Sequence, residues 1–580
     1  MLSWARHYSK ATFTKDLIAS VVITMMLIPQ ALAYALLAGL PPQLGLYASI
    51  LPLLAYAVFG TSGALSVGPF AIASIMTATA LNAVFSGDMA SQLNSQADYI
   101  AGAVVLAFLS GIFLLLFGFL RLGFLSNFLS FPVVSGFISA SALVIGSSQL
   151  GNLLGISAQG DTLLEVIKAV VGEIDHIHTD TLILGIGAFI FLFFAPKLIK
   201  ALAINFHANQ LLAELLSKTV PILAMLISVA YVLFFDLESK GVAVIGDIPA
   251  MLPSLSLPNV SDYTWSYEIW KSLISSAVLI SIIGFVSSLS VAQTFAAKKR
   301  QRINPNQEAI ALGFANLGSG LSGGFPVSAS LSRSAVSFNA GAETPAAGAL
   351  TAMGVAIATL YLTPYLYHLP IATLAAMILV AVISLIDLDA IKRSWQYSQK
   401  DFSALLLTVL LTLVQGVEAG LISGVILSIA LHLYRSSHPH VAELGRVPDT
   451  EHFRNIERHN VITQPNLIFF RIDESLYFAN ARFLEDKINE LVAEHPKADH
   501  LVLVCSSIND IDASALESLF SINNYLQEAG MNAHLTEVKG PVLDRLKRSD
   551  FLEHLTGNVY LSNYDAWVDL IPIDLGNLSE

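Results

Sequence analysis

Residues 326–336 read PVSASLSRSAV, and Arg333 there is the one Lys or Arg that falls within a candidate membrane span rather than near its end. A charged side chain at membrane depth is costly and marks a functional site by default. The chemistry it offers is the holding of an anion. Ser328, Ser330, Ser332 and Ser334 alternate through the same run, and hydroxyls can replace the hydration an anion gives up. The plain alternative is an Arg that snorkels from a short helix to the membrane surface, among serines that pack and cap.

Two stretches must position such a site. Residues 321–330 read LSGGFPVSAS, and residues 65–74 read LSVGPFAIAS. Overlaid without a gap, they share Leu, Ser, Gly, Ala and Ser. Both place Gly and Pro inside an apolar run. Irregular backbone survives in hydrocarbon only where protein or a water-filled cavity surrounds it. Pro removes a donor but suits the first turn of a helix. Each stretch is therefore expected to be extended up to its Pro and helical after it. An odd number of spans separates the two, which inverts the second copy. Two helix N-termini would then face each other near mid-membrane, each with roughly half a positive charge and free N–H groups. Broken segments at matching places in two repeats are the sequence signature of a transporter binding site.

The remaining chain supplies the frame. Candidate spans are 17–38, 43–60, 67–85, 99–120, 127–150, 180–196, 217–235, 268–291, 307–321, 327–340, 345–362, 371–386, 402–415 and 418–434. Several are too short to cross alone, since a crossing needs about 20 apolar residues. The first sixteen residues are polar and net basic, and the apolar run after them lacks a cleavage site, so it is expected to stay as the first span. Lys and Arg in the connecting segments set orientation. With the N-terminus inside, fifteen of them, from Arg6 to Arg435, fall on the cytoplasmic side and three, Lys168, Lys240 and Lys271, on the outer side. Both termini are thus expected in the cytoplasm, and a cell inner membrane is the expected location.

Composition agrees with lipid as the solvent for most of the chain: 54% of 580 residues are hydrophobic and 13% charged. Through Arg435 the charges nearly cancel, with 19 Lys and Arg against 20 Asp and Glu, whereas the remainder carries 11 against 23. A membrane domain over 1–435, a linker over 436–464 and a cytoplasmic domain over 465–580 follow. In the last, NLIFFRI, HLVLVCSSI and NAHLTEV read as strands, with helical spacing between them, which suggests a small α/β layer fold. Its acidity argues against nucleic acid as a partner. The single Cys505 excludes an internal disulfide.

Enzyme chemistry finds little support. The chain carries no Walker motif, zincin motif or nucleophile elbow, so no cofactor or bound metal is expected and no catalytic residue is assigned. His176 and His178, in EIDHIHTD, could bind a metal but lie in an expected outer loop.

The stretches IPQALAYALLAGLPPQLGLYASILP (28–52), GTSGALSVGPFAI and GGFPVSASLSRSAV resemble the sulfate permease (SulP) family of anion transporters, whose animal relatives include prestin and pendrin. The acidic C-terminal part resembles a STAS domain, and the likeness covers nearly the whole chain. It implies an α-helical polytopic membrane protein of fourteen segments, built as a seven-plus-seven inverted repeat with core and gate domains, followed by a small cytoplasmic α/β STAS domain. It also implies a homodimer in a lipid bilayer. By motif, the substrate site would be lined by Gln30 and Tyr34 in PQALAY, Phe70 and Ala71 in GPFA, and Leu331, Ser332 and Arg333 in SLSRS. Ser287, in GFVSS, stands where many bacterial and plant relatives carry an acidic residue associated with proton or sodium coupling. The expected substrate is a small inorganic anion, sulfate, bicarbonate or chloride, with sulfate first. A dicarboxylate, an exchanger or uniporter mode, an anion channel and a nucleobase substrate stay open on residues alone. Ser514, in IDASAL, aligns with the phosphorylated Ser of STAS-type antagonists, and Asp512 or Ser514 could equally cap the helix that follows. What the STAS domain binds is not readable.

Overall fold

The computed structural model describes residues 3–85, 96–124, 130–158, 160, 162–206, 213, 216–254 and 267–571. Contacts divide the chain into two compact units, Met1–Ser428 and Ile429–Glu580.

In the first unit, α1 (Lys10–Leu37) opens on Ser9, whose hydroxyl accepts from the Thr12 N–H. α2 (Gln43–Tyr47) and α3 (Leu51–Phe59) follow, then β1 (Val67–Gly68), α4 (Ala71–Phe85), α5 (Gln96–Phe119), α6 (Phe131–Ser148) and α7 (Leu150–Leu154). α8 (Leu163–Gly172), α9 (Thr179–Asn205), α10 (Val220–Phe235), α11 (Tyr267–Lys298) and α12 (Pro305–Leu321) come next. β2 (Ser328–Ala329), α13 (Leu331–Asn339), α14 (Ala346–Tyr361), α15 (Ile371–Ile383), α16 (Leu388–Tyr397), α17 (Gln399–Gln415) and α18 (Val417–Ser437) complete it. Each of the fourteen expected spans contains helix in these elements; residues 127–129 of the fifth lie outside the described residues, and the third and tenth open on the strands β1 and β2. Among the described residues, seven helical stretches are long and apolar enough to cross a membrane alone.

The second expected span is broken. Pro52 lies in the first turn of α3, where its missing N–H costs nothing, and the chain turns between α2 and α3 to reach it. The helices sort into two bundles: α1 to α5 pack with α11 to α14, and α6, α9 and α10 pack with α15 and α17. These are the core and gate of an inverted-repeat membrane fold.

The second unit is a six-stranded sheet in the order β4-β3-β5-β6-β7-β8. β5 (Leu467–Ile472), β6 (His500–Val504), β7 (Asn532–Thr536) and β8 (Val559–Tyr560) are parallel, so each connection needs a crossover. The crossovers are α19 (Ala481–Glu494), α20 (Ala513–Glu528), and α21 (Gly540–Leu546) with α22 (Phe551–His554). Strand periodicity splits the core between the two faces of the sheet. Ile468, Phe470 and Ile472 pack with Leu484, Ile488 and Leu519 on one face. Leu467 and Phe469 pack with Trp567 of α23 (Asn563–Leu570) on the other.

The segment expected as a linker, 436–464, differs from that reading. It holds β3 (Val441–Arg446) and β4 (Phe453–Asn455), and β3 pairs antiparallel with β5. Ala442, Leu444 and Phe453 join the Trp567 cluster, so their burial pulls the segment into the sheet. Likewise, the boundary between units falls inside α18, before Arg435.

Candidate anion site

β1 pairs antiparallel with β2, Val67 opposite Ala329 and Gly68 opposite Ser328. α4 begins at Ala71 just after β1, and α13 at Leu331 just after β2. Antiparallel strands send their two helices in opposite directions, so the helix N-termini meet at the strand pair. The gapless overlay of the two stretches had this in outline but in the wrong register. After Pro326 the chain stays extended to Ser330, whereas after Pro69 it turns helical almost at once. Gly323, with φ +72°, closes the end of α12, and the Gly324 N–H donates to the Ser319 carbonyl at 2.8 Å. Gly323 and Gly324 thus end one helix rather than open the next.

Extended backbone at this depth must find every partner inside the protein. Asn316 of α12 clamps Val327 from both sides: its amide donates to the Val327 carbonyl at 3.0 Å and its Oδ1 accepts the Val327 N–H at 2.9 Å. The Ser319 hydroxyl donates to the Phe325 carbonyl at 2.6 Å. Ser288 of α11 accepts the Ala329 N–H at 3.0 Å, and Ser328 donates to the Gly284 carbonyl at 2.9 Å. Across the strand pair, the Ser330 N–H donates to the Ser66 carbonyl at 3.2 Å, and Ser334 Oγ accepts the Ser66 N–H at 3.0 Å. Residue types alone did not single out Asn316, Ser288, Ser319 or Ser66. An Asn in the middle of an apolar span was the available signal.

Arg333 sits in the first turn of α13 and is 0% exposed. It does not snorkel. Its Nη2 donates to the Pro69 carbonyl at 2.8 Å and its Nη1 to Gln30 Oε1 at 3.1 Å. The guanidinium thus ties α13 to the start of α4 and to the middle of α1. Its Nε is buried without a partner. Among the described residues no carboxylate forms a salt bridge with it. Two other buried carboxylates of this unit are already taken. Asp16 accepts the Glu343 and Thr344 N–H groups at 2.8 and 3.2 Å. Glu308 accepts from the Tyr56 hydroxyl at 2.7 Å and the Thr61 N–H at 3.1 Å. A buried cation with no carboxylate partner is costly, and the cost falls when an anion arrives.

The other expected residues divide. Because Arg333 claims Oε1 of Gln30, the amide nitrogen of Gln30 is the end left to donate elsewhere. Pro29 precedes Gln30 inside α1, where it removes one helical hydrogen bond. Tyr34, one turn further on, is buried and within electrostatic reach of Arg333. Phe70 and Ala71 are buried at the start of α4. Leu331, at 50%, and Ser332 are exposed, so the first turn of α13 opens to the outside of the fold. Ser287 is half-buried beside Ser288, and it is Ser288 that bonds to β2.

Three peripheral expectations can be placed. Asp512 caps α20, accepting the Ala515 N–H at 2.8 Å, and it also accepts the Phe478 N–H at 2.9 Å. Ser514 is exposed in the first turn of that helix. His178 caps α9, accepting the Thr181 N–H at Nδ1, while its Nε2 meets the Lys240 carbonyl at 2.9 Å. Both ring nitrogens are used, and no cluster of three metal-binding side chains occurs among the described residues.

A polytopic inverted-repeat fold, two opposed half-helix N-termini and a buried cation between them fit the architecture of a membrane transport protein. The sulfate permease family model matches residues 13–408 and the STAS domain model matches residues 458–566. The chain belongs to the sulfate permease family. It is 33% identical over 531 residues to sulfate transporter 4.1, chloroplastic, of Arabidopsis thaliana, covering 89% of this chain and 74% of that protein. A protein of Mycobacterium tuberculosis named as a probable sulfate transporter is 32% identical over 556 residues, 95% of this chain and 94% of that one. The murine Solute Carrier 26 family member A9 anion transporter, solved in the inward-facing state, has the same fold. Its TM-score is 0.86 at 23% identity, over 98% of this chain and 93% of that one. The transmembrane domain of a cyanobacterium bicarbonate transporter matches with a TM-score of 0.59 at 20% identity, over 72% of this chain and 98% of that one.

Proposed function

We propose that this protein is a secondary transporter of small inorganic anions, sulfate first among them, working by alternating access. The observation that carries the reading is Arg333, fully buried between two helix N-termini with Nε unpartnered. An anion there would take the free face of the guanidinium, the amide of Gln30 and first-turn N–H groups of α4 and α13. Tyr34, Phe70 and Ala71 would wall the site, with Leu331 and Ser332 at its open side and Ser287 behind it. The names of the sulfate transporters it resembles support sulfate.

The transport domain runs through α18 to Arg435, the sheet that begins at β3 belongs to the STAS domain, and the STAS domain lies on the cytoplasmic side. Both termini are cytoplasmic in a cell inner membrane, and two copies form a dimer. Ser287 cannot titrate as a carboxylate does, so the carrier exchanges one anion for another without a proton. Reconstitution in liposomes tests this: labelled sulfate should enter vesicles preloaded with sulfate, saturate, and ignore a pH gradient. Steady unsaturable current would point to a channel instead.

A further inference from the structure

α8 and α16 are ten-residue helices, each too short to cross a membrane alone, and they carry the same pattern. Residues 164–171 read LEVIKAVV, and residues 388–395 read LDAIKRSW. Leu, an acid, a small or branched apolar residue, Ile and Lys recur in order. α8 follows the fifth span and α16 follows the twelfth. Seven spans lie between them, so they occupy opposite membrane surfaces as mates in the inverted repeat.

Burial repeats as well as sequence. In each helix the third residue of the pattern, Val166 or Ala390, is fully buried against the protein. Both helices rest on the same two spans, α6 and α17. Beside the buried face runs an apolar stripe at spacings of three and four residues: Leu164, Ile167 and Val171 in α8, and Leu388, Ile391 and Trp395 in α16. Its ends are exposed, Leu388 at 70% and Trp395 at 59%. Lys168 and Lys392 follow the Ile of each stripe and are exposed, as are Glu165 and Asp389. Three faces result: one packed on protein, one apolar and largely uncovered apart from the Trp395 ring against Phe402 at 4.8 Å, and one charged. Water would be a poor solvent for the second face, and hydrocarbon for the third. A helix of that design lies in the interface plane, with its apolar stripe at the acyl boundary. Trp suits that depth, and Lys reaches from it to a phosphate.

We propose that α8 and α16 dock on the phospholipid headgroup layers of the two leaflets, each with its Lys on a lipid phosphate oxygen.

The test places single cysteines in the full chain. Its one native thiol, Cys505, is buried, and burial pushes it up to about 12, so it stays unlabelled. Trp395→Cys and Leu164→Cys report the stripes, and Tyr397→Cys and Glu165→Cys report the opposite faces. Each carries a bimane label in vesicles of phosphatidylcholine and phosphatidylglycerol. Doxyl-phosphatidylcholine should quench the stripe labels at least about threefold more than iodide does, with the reverse at 397 and 165. Iodide quenching at all four sites would overturn the proposal, because the stripes would then face water. Protection of the stripe sites from both quenchers would also overturn it, because protein would then cover them. Lys392→Glu should raise iodide access at 395, and unchanged access would refute the phosphate contact.

Discussion

Replacing Arg333 by Ala should weaken binding of a transported anion about 10- to 150-fold. The figure follows from what the guanidinium does. A hydrogen bond to a charged group contributes roughly 1.5–3 kcal/mol, and each 1.4 kcal/mol is about tenfold in affinity. Arg333 already spends one N–H on Pro69 and one on Gln30, so what it offers an anion is its remaining donors and its charge. The variant should still fold. Two acceptors lose a donor, at roughly 1–3 kcal/mol each, but an unpaired buried charge goes with them. Calorimetry on purified protein reads the affinity. Thermal unfolding reads it again, because anion at a hundred times its Kd stabilises the wild type by about 2.7 kcal/mol. With Kd raised about a hundredfold, the same concentration gives about 0.4 kcal/mol. Arg333→Lys should fall between, since it keeps the charge but not the fork that reaches two acceptors. Equal affinity and equal anion-induced stabilisation in wild type and Arg333→Ala would refute the reasoning.

Four further outcomes are expected. Asn316→Ala should cost roughly 1–3 kcal/mol in stability by orphaning Val327, and should also weaken anion binding by displacing α13; denaturation and calorimetry together check this. A chain ending at Ser437 should stay folded and bind anion, because β3 onward belongs to the C-terminal sheet; a monodisperse truncation without binding would contradict that. Vesicles holding the natural protein should not accumulate anion on an imposed proton gradient without counter-anion, and Ser287→Glu is the variant in which such coupling could emerge. His534, held down to about 4 by burial and by its neighbour His500, favours the fold fully above pH 6.5. The unfolded chain takes up a proton below that and the folded one does not, so stability of the C-terminal unit should fall between pH 6.5 and 4. Urea titrations of residues 436–571 should show the fall, and His534→Gln should flatten it.

The spans were readable because a crossing demands a long apolar run whatever it packs against. Arg333 was readable for the same reason, as a lone cation in such a run. Its bonds were not: the family resemblance placed Gln30 at the same site, but Gln30 and Pro69 lie 303 and 264 residues away in sequence, and only the fold shows that the guanidinium donates to both. The register of the two broken stretches was misjudged because glycine serves two purposes. Gly68 pairs within β1, opposite Ser328, whereas Gly323 and Gly324 terminate α12. Identical letters aligned positions with different roles. Asn316 escaped notice because its value lies in the backbone it satisfies, and that backbone becomes extended only in the fold. β3 was hidden for a related reason: its alternation of buried and half-buried residues is short, and only pairing with β5 makes it a strand.

The most direct measurement of the central claim is uptake of labelled sulfate by proteoliposomes, run side by side for the natural protein and Arg333→Ala. Vesicles preloaded with unlabelled sulfate should take up label with saturable kinetics through the natural protein. The rate at low sulfate should drop at least about tenfold in the variant. Empty vesicles should take up little through either. Equal rates for the two proteins, or no sulfate uptake above protein-free vesicles by a folded natural protein, would contradict an anion site built on Arg333.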